Sequence, residues 1–166
     1  MKKVIISVMA VFLLYGVCAA ATVTGTGTAT AVILTPVTVA NTTTLNFASI
    51  IPGTTAGTVV VAQATGTATY TGGAQFGGGT TAAGVVTLTG PNNQAITSVA
   101  IADGSIAGTP SGSMTVTGFI TSCPSGTGCT LNASGTLAVN FGATLNVAAN
   151  QSAGTYTGNV TVTVTY

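Results

Sequence analysis

Few side chains in this chain can move a proton or attack an electrophile. Beyond residue 21 they are Asp103, Tyr70, Tyr156, Tyr166, Cys123 and Cys129, besides the hydroxyls of serine and threonine. General acid–base work needs a group of tuned pKa within reach of a substrate. Asp103 is the chain's one carboxylate side chain and stands in "ADGS", where Asp-Gly is a turn pair. A serine nucleophile needs a neighbouring base, but histidine is absent and the only lysines are Lys2 and Lys3. One carboxylate is too few for a dedicated calcium site. The glycines of "GTGT" and "GGAQFGGG" are not phosphate loops, because a Walker-type loop ends in Gly-Lys-Ser/Thr. The expectation is a protein that is not an enzyme, with no catalytic residue, cofactor, metal or small-molecule substrate.

Cys123 and Cys129 frame "CPSGTGC", with Pro124 and Gly126 as turn residues. An even pair in an exported chain reads as a disulfide in preference to free thiols. Closing so short a loop contributes about 2 kcal/mol on chain-entropy arithmetic. A metal site would need further ligands, and no histidine supplies them.

Export is read from the start of the chain. Met1-Lys2-Lys3 is basic, Val4 to Val17 is an apolar run broken only by Ser7 and Gly16, and "CAAA" follows. This is the three-part pattern of a secretory signal, cut after Ala20 or Ala21. Cys18 leaves with it, and so do both lysines. What remains, about 145 residues, suffices for one domain with a core. Its only charged side chain is Asp103. Near-zero charge removes the repulsion that keeps soluble monomers apart, which fits a secreted domain that is either heavily glycosylated, for which N-x-S/T triplets start at Asn41, Asn132, Asn150 and Asn159, or works inside an assembly. It also argues against nucleic acid, whose phosphates call for Lys and Arg.

The element pattern has period two throughout. "GTVVVA" at 57–62, "GVVTLTG" at 84–90 and "QAITSVAIA" at 94–102 read as strands. Met114, Val116, Gly118 and Ile120 are expected on one face of the next. Leu137, Val139 and Phe141 share another, followed by Leu145 and Val147. At the end Tyr156, Gly158, Val160, Val162, Val164 and Tyr166 alternate over a carboxy-terminal strand. Between these runs stand "IPGTTAG", "TGGAQFGGG", "GPNN", "ADGS", "TPSGS", "NASG" and "ANQSAG", read as turns, with the glycine-rich stretch at 72–79 as a loop. No apolar face recurs at helical spacing. About eight to ten short strands with one buried face each predict an all-β antiparallel sandwich.

Residues 22–33 form a separate feature. Threonine holds every even position from Thr22 to Thr30, while the odd face is Ala21, Val23, Gly25, Gly27, Ala29, Ala31 and Ile33. Natural sheets guard their edges with Lys, Pro or inward charges. Here only Pro36 is near. The organisation expected is therefore a signal at 1–21, an amino-terminal extension at 22–33 and a β-sandwich at 34–166. The extension is the candidate donor strand, its odd face inserting into another copy.

"LNFASIIPGTTAGTVVV", "MTVTGF" and "LNVAANQSAGTYTGNVTVTVTY" together resemble a family of bacterial exported β-domains. That family is similar in its last strands to the spore-coat-protein-U-like pilins of archaic chaperone–usher fimbriae. The likeness covers residues 29 to 166 and rests on Phe47, Pro52, Gly53, Gly57, Gly154, Tyr156 and Tyr166. It implies an immunoglobulin-like sandwich, export and, in the pilin branch, homopolymeric surface filaments, for which a periplasmic chaperone and an outer-membrane usher are the candidate partners. The cysteine loop is not part of the pattern. The reading drawn from residues and resemblance together is a pilin-like filament subunit joined by donor-strand complementation. Its rivals are a monomeric surface, coat or adhesin module and, more distantly, an outer-membrane barrel.

Overall fold

The computed structural model describes residues 20–33 and 35–166, so the expected signal lies outside the described residues apart from Ala20 and Ala21. The chain divides into two units, Met1–Val32 and Ile33–Tyr166. In the first, residues 20–32 belong to no strand and all are exposed.

The second unit is built of strands, and no helix occurs among the described residues. In chain order they are β1 (Thr38–Thr43), β2 (Ser49–Val61), β3 (Ala68–Gly78), β4 (Gly84–Thr89), β5 (Ala95–Ile96), β6 (Ser98–Ile101), β7 (Gly104–Thr109), β8 (Ser113–Thr121), β9 (Cys129–Thr130), β10 (Thr136–Val147), β11 (Thr155–Thr157) and β12 (Val162–Thr165).

β10 organises the rest. Alternate residues of a strand face opposite sides. In β10 the inward set Val139, Phe141, Ala143, Leu145 and Val147 is buried, while Asn140, Thr144 and Asn146 are half-buried on the other face. β8 pairs with one side of it, through Phe141↔Thr121 to Asn146↔Thr115. The other side is shared end to end by β4, along Thr136 to Phe141, and β2, along Ala143 to Val147. β1 adds outside β4, β3 outside β2, and β7 then β11 outside β8. Every pairing is antiparallel.

Two smaller sheets, β12–β6 and β5–β9, complete the sandwich. β6 is tied to the end of β8: the Val99 amide donates to the Cys123 carbonyl and the Thr121 hydroxyl to the Val99 carbonyl, both at 2.9 Å. Thr121 thereby satisfies its polar atom inside the core. One apolar cluster joins Val86, Leu88 and Val139 of the main sheet to Ile96, Val99 and Leu131. A second lies under Val59, Met114, Val116 and Leu145. Leu45 and Phe119 pack against both. Cys123 and Cys129 are joined as a disulfide, with Cys123 in the first cluster and residues 124–128 exposed.

The structure corrects three local expectations. "IPGTTAG" and the glycine-rich stretch at 72–79 are not turns or loops but lie largely within β2 and β3. They form a bend in that hairpin, where the register slips between Pro52 and Gly57. The backbones come so close there that a side chain on Gly73 would collide with the Thr55 carbonyl. Ile120 does not share the inner face of Met114 and Val116. A bulge at Gly118 (φ +62°) adds a residue to β8, turning Phe119 inward and leaving Ile120 62% exposed. The carboxy-terminal strand is not continuous, being interrupted between β11 and β12 at Gly158–Thr161.

Candidate strand-accepting groove

A groove of about 780 Å³ runs along the sandwich. Its floor is apolar: Val86 from β4, Met114 and Val116 from β8, and Phe141, Leu145 and Val147 from β10. One wall is the chain from residue 44 to residue 52, across the step from β1 to β2. The other is residues 151–160 with Val162, which carry β11 and the break before β12.

Both walls keep one side of their backbone unpaired. Along the first, β2 bonds to β3 from Ile50↔Phe76 to Pro52↔Ala74, and Asn46 bridges Ala82. β10 reaches β2 only from Gly57 onward. Along the second wall, β11 pairs with β7 and β12 with β6. Among the described residues, no further strand pairs with either wall. Short strand edges, residues 49–52 of β2 and Thr155–Thr157 of β11, therefore flank an apolar trough.

The second wall is held by contacts of its own. The Tyr156 hydroxyl donates to the Ser152 carbonyl at 2.6 Å and accepts from Gln151 Nε2 at 2.8 Å. Gln151 Nε2 also reaches the Ser113 carbonyl at 3.4 Å. This cluster ties the 149–154 turn to β11. Further along, the Ala102 amide donates to the Thr161 carbonyl at 3.2 Å, beside the gap between β6 and β7. Gly158 presses on β7: a Cβ there would stand 2.9 Å from Ile106 Cγ2 and from the Ser105 carbonyl. Tyr156, Val160, Val162 and Val164 are half-buried, so the expected alternation persists across the break. Gly158 and Tyr166 are exposed.

No charged side chain lines the groove. Asp103 lies elsewhere, its Oδ1 accepting from the Gly118 amide at 2.9 Å at the β8 bulge. Tyr70, on β3, has a buried hydroxyl without a hydrogen-bond partner, and burial pushes its pKa above the ordinary tyrosine value. Among the described residues there is no cluster of His, Cys, Asp or Glu able to hold a metal ion.

Of the residues singled out from the sequence, Tyr156, Gly158, Val160 and Val162 line the groove. Val164 packs against the first apolar cluster instead. Ala21, Val23, Gly25, Gly27, Ala29, Ala31 and Ile33 are exposed and outside any strand. Cys123 and Cys129 are not part of the groove. The first wall was missed as a site. Its signal is the alternation of Leu45, Phe47 and Ile50 toward the interior, where Ile50 falls out of phase.

Residues 37–166 match a family model described as "Domain of unknown function (DUF4402)". That span contains every strand and both walls of the groove, and residues 22–33 precede it. No curated protein and no solved structure matches the chain.

Proposed function

The chain belongs to the DUF4402 family, and for this member we propose the role of a structural subunit in an extracellular filament, polymerising by donor-strand complementation. One observation carries the reading: short edges of β2 and β11, unpaired on one side among the described residues, flank an apolar trough. An inserted strand gains main-chain hydrogen bonds on both sides while its alternate side chains meet the floor. Each such bond is worth about 0.5–1.5 kcal/mol net.

Residues 22–33 are the proposed donor, offered by a second copy. They alternate as far as Thr30, are exposed and lie outside the family domain. A strand of twelve residues spans ~40 Å, longer than residues 49–52, the stretch that β2 contributes to the first wall. Its odd face, Ala21 to Ile33, turns inward and its threonines outward. A periplasmic chaperone and an outer-membrane usher are the partners proposed to occupy the groove before assembly and to export the subunits. Localisation at the cell surface is part of the same proposal.

Deleting residues 22–33 tests it. Secreted full-length protein is expected to give filaments by negative-stain microscopy and a ladder on unboiled gels, and the deletion is expected to abolish both. A full-length chain that stays monomeric would instead support a surface or coat module that does not polymerise.

A further inference from the structure

The groove's floor is already covered, although the groove is open. Val86, Phe141, Val116, Leu145 and Val147 are 1–4% exposed, and Met114 is 8% exposed. A trough with deep pockets would leave its floor side chains open to water. Here the exposed surface belongs to the walls, where residues such as Phe47, Ile50, Tyr156 and Val160 are half-buried. An incoming strand therefore meets a shallow bed.

The candidate donor has the matching profile. On its odd face the middle positions are Gly25, Gly27, Ala29 and Ala31, with Val23 and Ile33 toward the ends. Resting on the donor-strand reading, we infer that the groove selects its partner by steric exclusion at the centre. It takes a strand with glycine or alanine at the middle inward positions, such as this chain's own 22–33 segment, and rejects strands carrying large apolar residues there. Affinity comes from main-chain pairing with the two edges, and specificity from the floor's refusal of bulk. The sign is opposite to that of a deep apolar groove. There, glycine-to-leucine changes would strengthen binding, through both strand propensity and buried area. On a filled floor the same change forces side chains and backbone apart.

Biotinylated peptides of residues 22–33 provide the test, added in excess while the full-length protein refolds from denaturant and then captured. Three versions are compared: wild type, Gly25→Leu/Gly27→Leu, and Thr26→Leu/Thr28→Leu. The last adds the same two side chains on the outward face. The wild-type and outward-leucine peptides are expected to capture the protein equally, and the inward-leucine peptide at least tenfold less. If the inward-leucine peptide captures as well as wild type or better, steric selection is overturned while strand acceptance stands. If the wild-type peptide captures nothing and the protein remains monomeric, both are overturned.

Discussion

Tyr70 and Asp103 show how an almost uncharged domain handles its few ionisable groups. The Tyr70 ring packs near Phe76, with centroids 5.7 Å apart, and its hydroxyl is buried without a partner. Leaving a buried hydroxyl unpaired costs stability. Tyr70→Phe is therefore expected to leave the unfolding free energy measured in urea unchanged or raise it, by up to about 1–2 kcal/mol. Burial raises the Tyr70 pKa in the folded state above its unfolded value. Its contribution is then fully present below the unfolded tyrosine pKa, about 10. It is lost as pH rises through the folded value, because the unfolded chain gives up the proton first. Wild-type stability should fall on the alkaline side of pH 10, and Tyr70→Phe should make that fall shallower in chemical denaturation followed against pH. Asp103, in contrast, is exposed and accepts from a backbone amide.

That contact belongs to an element, the bulge that re-aims β8. Without it the Gly118 amide loses its side-chain acceptor at the point where the strand shifts register. Asp103→Ala is expected to destabilise by about 0.5–1.5 kcal/mol, while Asp103→Asn, which keeps an acceptor oxygen, changes stability by only a few tenths. Urea unfolding of the two variants decides between a hydrogen bond and a mere charge. The bulge also marks where the sequence stops being readable. Alternation disclosed the inner faces of β10 and of 156–164, because burial on one side writes period two directly into residue types. It misplaced Ile120, because one added residue inverts every later position, and a single strand glycine, Gly118, was the mark it left in the sequence. "IPGTTAG" and "GGAQFGGG" carry turn chemistry, yet their glycines serve the close contact of two bent strands. Residues of the second wall were legible as an alternating run, but the trough between the walls was not, since it arises from edges that long-range pairing leaves free.

At the scale of the molecule, charge is the governing absence. Residues 20–166 contain one carboxylate side chain and no Lys, Arg or His. Salt acts on association by screening charges, and here there is almost nothing to screen. Under the proposed filament function, assembly followed by light scattering is expected to vary less than twofold between 10 mM and 1 M NaCl, and between pH 5 and pH 9. A steep salt dependence would point to a charged assembly partner. The donor-strand proposal has one further consequence for growth. On the donor-strand proposal a subunit joins by two different segments, a socket and a plug, and such a heterologous joint, where it does not close on itself, propagates without limit. Every polymer so formed is an arrow. One terminus bears a vacant socket and the other an idle plug, so length control becomes a matter of occupying a single terminal site.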